Sequence, residues 1–170
     1  SKQPDPTQAT PGSKDKLRAQ RIEELEADAE IDGDPRRSPL TGFAPGALAT
    51  VCDQDLRPLG TAYVNPASLI AARLLTRRAD ARIDAAWFAG RVQRALALRE
   101  RLVGGDSYRL VHGEGDGLPG LTIDRYGAHA VMQAGTAGMD SRTGDIVEAL
   151  AQVLDPASIL LRNTAAVRGL

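Results

Sequence analysis

The stretch that decides the fold is RLVHGEGDGLPGLTIDRYG, Arg109 to Gly127. Strand-forming runs at Tyr108–His112 and Leu121–Asp124 lie on either side of a group of glycines. Glycine allows the left-handed backbone that tight turns require, and proline restricts φ. We therefore interpret the centre of the stretch as a structural turn that joins two strands. The turn residues are Gly113, Gly115, Gly117, Pro119 and Gly120.

A glycine-rich segment can instead cradle a phosphate group, and this alternative has to be weighed. The stretch contains one Gly-x-Gly-x-x-Gly spacing, from Gly115 to Gly120, but a strand and not a helix is expected to follow it. It lacks the Gly-Lys-Ser/Thr ending of a P-loop. The carboxylates of Glu114 and Asp116 would also repel phosphate. The spacing and the charge favour the turn.

Upstream of this stretch the sequence predicts its clearest helix. Asp84 is a suitable N-cap, and Gly104 is a suitable C-terminal stop. Ile83 precedes the cap and can pack on Phe88 as a hydrophobic staple. The apolar stripe of this helix comprises Phe88, Val92 and Ala95.

Short strands dominate the remainder of the chain. Leu48–Cys52 and Leu59–Tyr63 flank the turn-rich DQDLRP and predict a β-hairpin, and Leu69–Leu75 predicts a third strand. Strands at this spacing are typical of a small β-barrel or an open sheet. The elements predicted further downstream are the strand Ala130–Gln133, the helix Asp145–Leu154 and the strand Ile159–Arg162.

The composition indicates a globular protein, with 42% hydrophobic and 25% charged residues in 170. No apolar run is long enough to span a bilayer, and no signal-peptide core is present, so we expect a cytoplasmic protein without a membrane partner. Residues 1–37 form a polar leader that we expect to be disordered or partly helical. Within it, Leu17–Ile31 predicts one acidic helix.

Few residues offer catalytic or metal-binding chemistry. A cluster of carboxylates with a histidine can perform acid–base catalysis when the groups are buried together, but a solvated loop is the favoured interpretation. With two histidines and one cysteine, a zinc site is unfavoured, and Cys52 is expected to be a buried inert thiol. The acid–base candidates are His112, Glu114, Asp116 and Asp124, and the remaining histidine is His129.

Arginines are concentrated between positions 73 and 109, although the net charge of the chain is only -1. Guanidinium groups suit RNA phosphates, and they equally suit carboxylates on a partner domain. An ordinary solvated helix face is the third interpretation. Three aromatic residues of the region, Tyr63, Trp87 and Tyr108, can stack on bases if they are exposed. The arginines are Arg73, Arg77, Arg78, Arg82, Arg91, Arg94, Arg99, Arg101 and Arg109.

Several segments together resemble the large-subunit ribosomal RNA cytosine-C5 methyltransferases, which use S-adenosylmethionine. The most specific segment is 109–127. LGTAYVNPASLIAARLL at 59–75 resembles the end of that family's PUA-type RNA-binding part, and FAGRVQRALALRERL at 88–102 resembles the helix that opens its central domain. RNTAAVRGL at 162–170 is similar to the segment that precedes its Rossmann-like catalytic domain.

The resemblance implies an α+β chain with a partial PUA-like β-barrel at 38–79 and a small mixed α/β domain at 80–170. The Rossmann methyltransferase domain, its S-adenosylmethionine site and its catalytic residues would lie outside this chain, which would therefore bind no cofactor and be inactive alone. The implied partners are ribosomal RNA, the missing C-terminal methyltransferase domain and, in a homodimer, a second copy. The RNA-binding candidates are Arg73, Arg77, Arg78, Arg91, Arg94, Arg101 and Arg109.

Overall fold

The computed structural model describes residues 18–21, 42–53, 55 and 57–162. Its described strands form two four-stranded sheets, in the orders β1-β2-β3-β4 and β5-β6-β7-β8. The two sheets follow one another along the chain, with the longest helix between them. The predicted mixture of strands and few helices is confirmed. The finer division into a partial barrel and a central domain stays a prediction.

The first sheet is built around the predicted hairpin. Strands β2 (Leu48–Cys52) and β3 (Pro58–Val64) pair antiparallel, as the turn-rich connection indicated. Asp53 holds this connection, because its carboxylate accepts hydrogen bonds from the backbone N–H groups of Asp55 and Arg57, both at 2.9 Å. Short side chains that hydrogen-bond the backbone two residues onward stabilise such turns.

The acidic helix predicted at Leu17–Ile31 is wrong over its N-terminal part. Arg18–Arg21 is a strand, β1, that pairs antiparallel with β2 in the register Arg18↔Cys52 to Arg21↔Ala49. A short helix with charged faces gains little stability on its own, whereas the edge of β2 offers the backbone a complete set of hydrogen bonds. The rest of the predicted helix lies outside the described residues.

The third predicted strand begins later than expected, at Ala72 instead of Leu69. The chain before it is held in turns, where the Asn65 side chain accepts from the N–H of Ala67 and the Ser68 hydroxyl accepts from the N–H of Ile70, each at 3.3 Å. These side chains compete with strand pairing for the backbone. Strand β4 (Ala72–Thr76) then pairs antiparallel with β3.

Helix α1 (Ala85–Leu102) forms where it was predicted. The carboxylate of Asp84 accepts from the N–H of Trp87 at 2.9 Å, which satisfies one of the unpaired donors of the first turn. The helix ends at the extended residue Val103, one position before the expected Gly104. Its buried side chains are Ala85, Phe88, Val92, Ala95 and Leu96, and Ile83 belongs to the same core.

The second sheet contains the predicted strands with bounds shifted by one or two residues. β5 (Ser107–His112), β6 (Leu121–Tyr126) and β7 (His129–Ala134) form an antiparallel meander. β8 (Ser158–Leu161) pairs parallel with β7, because a helical crossover separates the two strands. That crossover holds the predicted helix, now α3 (Thr143–Leu154), and a short helix α2 (Ala137–Asp140) that was not predicted.

Tyr63 of β3 joins the first sheet to the second. Its side chain is 3% exposed and packs in the main core. Its hydroxyl donates to the carbonyl oxygen of Pro119 at 2.9 Å and makes a second hydrogen bond with the hydroxyl of Thr136 at 3.0 Å. Its ring lies against Gly138, with no room there for a Cβ atom. These contacts hold the glycine-rich turn against β3.

In the described chain, no helix is both long and apolar enough to cross a membrane.

Candidate nucleic-acid interface

The glycine-rich stretch connects β5 to β6 through a 3₁₀ helix, Gly113–Asp116, and a following turn. Gly113, Gly117 and Gly120 have φ angles of 57°, 69° and 80°, a region that favours glycine. The N–H groups of Gly117 and Leu118 donate to carbonyl oxygens of the 3₁₀ helix at 3.0 and 2.9 Å. These two backbone amides are therefore used within the turn.

A buried ion pair attaches the 3₁₀ helix to α1. Nη2 of Arg99 lies 2.6 Å from Oδ2 of Asp116, and the two side chains are 11% and 7% exposed. The same carboxylate oxygen accepts from the backbone N–H of His112 at 2.6 Å. Asp116 therefore positions the turn, and its charge is already matched.

The acid–base candidates do not form a catalytic group. The carboxylate of Glu114 is paired with Arg73 at 2.6 Å, Asp116 faces Arg99, and Asp124 accepts two hydrogen bonds from Arg109. Each carboxylate thus faces a different arginine, and the side chain of His112 is exposed. This arrangement opposes acid–base catalysis by these four residues.

The glycine-rich stretch does not have the strand–turn–helix arrangement of a dinucleotide-binding loop. Its one Gly-x-Gly-x-x-Gly spacing leads into β6 and not into a helix. Across the described ranges, no group of three or more His, Cys, Asp or Glu side chains could hold a metal. Cys52 is buried, and burial and the charge of Asp53 raise the pKa of its thiol, which disfavours the nucleophilic thiolate.

The predicted arginines separate into two groups. Arg73 and Arg109 are used in ion pairs within the protein, and hydrogen bonding to Asp124 and its charge raise the pKa of Arg109. The second group projects from the loop after β4 and from α1 into solvent. Its exposed members are Arg77, Arg78, Arg94 and Arg101.

Between this loop and α1 lies a groove of about 380 Å³, here termed the arginine groove. Its walls are mostly cationic and aromatic side chains with small residues between them. The residues that define it are Thr76, Arg78, Arg82, Trp87, Arg91 and Arg94. Arg82 was counted in the arginine cluster but not among the RNA-binding candidates, and the loop after β4 places it beside α1. Trp87 lies on α1 and was considered only as a residue that could stack on bases.

Arg91 is held in place at the floor of the arginine groove. Its guanidinium lies over the Trp87 ring, 4.8 Å from the centroid, and its Nη2 donates to the Leu75 carbonyl oxygen at 3.1 Å. Its Nε is buried and has no hydrogen-bond partner among the described residues. Burial, and then the neighbouring charge of Arg94, lower the pKa of Arg91. This cation is therefore fixed and not compensated.

The three aromatic candidates have different environments. Tyr63 is buried at the junction of the sheets, so it does not have the exposure that stacking on bases requires. Tyr108 is half-buried, and its hydroxyl accepts from Nη1 of Arg125 at 3.1 Å. Trp87 is half-buried at the arginine groove, with the ring of Phe88 packed edge-on against it at 5.1 Å.

Comparison with known proteins supports the resemblance found in the sequence. The family model for a PUA-like domain matches residues 23–77. The chain is 41% identical over 128 residues to the ribosomal RNA large subunit methyltransferase I of Cronobacter sakazakii, covering 74% of this chain and 32% of that protein. For the Escherichia coli K12 protein of the same name the identity is 39% over 126 residues, covering 72% and 32%.

Solved structures show the same fold. A protein from Streptococcus mutans described as a SAM-dependent methyltransferase superposes with a TM-score of 0.62 at 21% identity, covering 70% of this chain and 33% of that one. A second structure, of a methyltransferase complexed with SAH, gives 0.65 at 20% identity, covering 73% and 33%. The chain spans about a third of the length of the curated relatives it matches. The predicted resemblance to large-subunit ribosomal RNA methyltransferases is confirmed for this third.

Proposed function

We propose that this chain, homologous to about a third of the length of ribosomal RNA large subunit methyltransferases, is the RNA-recognition and scaffold part of such an enzyme. In the whole protein it would hold large-subunit ribosomal RNA while a further Rossmann-like domain, using S-adenosylmethionine, methylates a cytosine at C5. The single observation that carries this proposal is the 41% identity over 128 residues. Residues 38–79 would be the PUA-like part, and residues 80–170 the central domain, of a cytoplasmic protein.

The distribution of charge supports an RNA-facing role. Arg94 and Arg101 lie seven positions apart on α1, hence on the same helix face and roughly 10 Å apart along the axis. Arg77 and Arg78 project from the preceding loop. Among the described residues, no carboxylate lies within ion-pair distance of Arg77, Arg94 or Arg101. Uncompensated arginines are suited to phosphate oxygens.

A catalytic role for this chain alone is opposed by the same geometry. The carboxylates of the glycine-rich turn are each engaged by an arginine, and the N–H groups of Gly117 and Leu118 donate to carbonyl groups of the same turn. We therefore expect the isolated chain to have no methyltransferase activity and to bind no S-adenosylmethionine. In the whole protein, the chain would contribute affinity for the RNA and would orient the RNA for the catalytic domain.

Filter binding to protein-free large-subunit ribosomal RNA of Escherichia coli tests the proposal. Because phosphate contacts release counterions, log K should fall linearly with log salt concentration. The triple variant Arg91→Ala, Arg94→Ala, Arg101→Ala should bind more weakly and with a shallower slope. The control Arg57→Ala removes one exposed cation from the β2–β3 connection. Absence of RNA binding at low salt, or an affinity independent of salt, would contradict the proposal.

An interaction module that packs on a catalytic domain or on a second copy is the second candidate function. Apolar side chains at the C-terminal end of α1 favour it, since Leu98, Leu102 and Val103 are 42%, 72% and 37% exposed. Exposed apolar patches often mark protein interfaces. Sedimentation of the chain alone and of a longer chain separates the candidates. Self-association of the chain alone, lost in the longer one, would favour the interaction module.

A further inference from the structure

We infer that the arginine groove is a binding site for a phosphate of the RNA backbone, with Arg91 and Arg94 as its principal ligands. This inference rests on the proposed function, because RNA is the polyanion that the proposed role brings to the chain. It narrows the predicted set of RNA-binding arginines. Arg73 and Arg109 are already paired with Glu114 and Asp124, whereas Arg91 and Arg94 line the groove beside Trp87.

The first argument is the balance of charge in the groove. Of its four arginines, two have a carboxylate nearby: Arg78 lies 3.7 Å from Asp80, and Arg82 lies 3.1 Å from Asp84. Asp84 is also used as the helix cap. Arg91 and Arg94 have no such partner among the described residues, and the charge of Arg94 contributes to lowering the pKa of Arg91. A bound anion would relieve the repulsion between these two cations.

The second argument is that the site is organised before any ligand arrives. Trp87 lies beneath the Arg91 guanidinium, and the Leu75 carbonyl oxygen holds its Nη2. The adjacent Gly117 leaves space for Nη1, since a Cβ at that position would collide with it. A guanidinium fixed in this way loses little side-chain entropy when it binds an anion. Its Nε–H is buried and lacks an acceptor among the described residues.

Trp87 allows a direct test, because it is the only tryptophan in the chain. Its fluorescence should change when large-subunit ribosomal RNA of Escherichia coli is titrated into the 170-residue chain. Arg94→Gln should weaken binding about tenfold, as expected when a hydrogen bond to a charged group is lost. It should also reduce the salt slope by roughly 0.7 to 0.9 for one phosphate. Arg91→Lys keeps the charge but loses the planar fork, and should weaken binding in the same direction.

Arg57→Gln is the matched control, since it removes one exposed cation from the β2–β3 connection. It should alter affinity less than twofold. Arg94 makes no ion pair or side-chain hydrogen bond with any other residue that the structure describes, so Arg94→Gln should fold normally. This variant keeps the test informative if Arg91→Lys is unstable. Circular dichroism checks the fold of each variant.

Each outcome leads to a definite conclusion. A Trp87 signal that tracks filter binding, together with binding that is weakened in Arg94→Gln but not in Arg57→Gln, supports the groove. RNA binding without a Trp87 signal, and with Arg94→Gln equal to wild type, overturns the groove but leaves the proposed function intact. Failure of the chain to bind RNA at all removes the proposed function and this inference with it. A Trp87 signal with poly-L-glutamate that RNA does not compete away would assign the groove to an acidic protein partner and overturn the inference.

Discussion

Removal of the Asp116 carboxylate should destabilise the protein far more than removal of the neighbouring Asp124 carboxylate. Both lie within the same stretch of sequence, and each is paired with one arginine, at 2.6 Å for Asp116 and 2.8 Å for Asp124. The pairs differ in burial. Asp116→Ala leaves the guanidinium of Arg99 in a site where its side chain is only 11% exposed, whereas the side chain of Arg109 is 48% exposed.

The magnitudes follow from this difference. Breaking one partner of a buried pair typically costs about 3–5 kcal/mol. Arg99 keeps one hydrogen bond from its Nε to the carbonyl oxygen of Arg109 at 3.3 Å, which favours the lower end, about 3 kcal/mol. The half-exposed pair of Asp124 should contribute far less than the buried pair, because solvent screens its charges. With an m-value of about 2 kcal/mol/M, Asp116→Ala should lower the urea midpoint by about 1.5 M.

Urea unfolding followed by circular dichroism at pH 7 measures these differences. The double variant Arg99→Met, Asp116→Ala removes the stranded cation, and should recover part of the stability lost in Asp116→Ala. Equal losses for Asp116→Ala and Asp124→Ala would refute the argument, because burial would then not decide the strength of these pairs. A double variant less stable than Asp116→Ala would contradict the stranded-charge explanation in particular.

Three further perturbations probe the junction of the sheets and the thiol. Tyr63→Phe removes both hydrogen bonds of the hydroxyl and should cost about 1–2 kcal/mol in urea unfolding; no loss would contradict the role of Tyr63 as a link. Burial raises the pKa of Tyr63, so above pH about 10 the unfolded chain ionises first. Wild type should therefore lose stability with rising pH more steeply than Tyr63→Phe, and parallel pH profiles would disprove this. Gly138→Ala places a methyl group against the Tyr63 ring and should cost about 1–3 kcal/mol, visible as a lower Tm; an unchanged Tm would show that the ring can move. Cys52 is 0% exposed and should react with a thiol reagent only after unfolding, so rapid modification of the native chain would contradict its burial.

Helix α1 could be predicted from sequence because its determinants are local. The cap Asp84, the staple residue Ile83 and the apolar stripe all lie within one continuous segment. The same holds for the hairpin β2–β3, whose connection carries its own turn-forming carboxylate at Asp53. Where the chemistry of a few adjacent residues decides the structure, the expected and observed bounds agree within one or two residues.

Strand β1 could not be predicted in this way. The window around Arg18–Arg21 has a helical spacing of apolar residues, but its conformation is set by pairing with Leu48–Cys52, about thirty residues away.

The delayed start of β4 has a local cause that was overlooked. Asn65 and Ser68 are both common turn residues, and their side chains hold the chain back from pairing.

The sequence predicted which segment carries the candidate site, but not which of its arginines are free of internal ion pairs. The density of arginines between positions 73 and 109 is visible in the sequence. Which of them remain free is decided by carboxylates distant along the chain, 41 residues away for Arg73 and 15 for Arg109. The contact of Arg91 with the Leu75 carbonyl oxygen likewise depends on how the loop after β4 folds against α1.

Photo-crosslinking of the chain to large-subunit ribosomal RNA, followed by mass spectrometry of the crosslinked peptides, tests the central claim most directly. The claim is that this chain binds RNA through the loop after β4 and the exposed face of α1. We expect nucleotide adducts on peptides that contain residues 76–94, with Trp87 the foremost site, and loss of these adducts in Arg94→Gln. Adducts confined to other parts of the chain, or an adduct pattern that Arg94→Gln leaves unchanged, would contradict the claim.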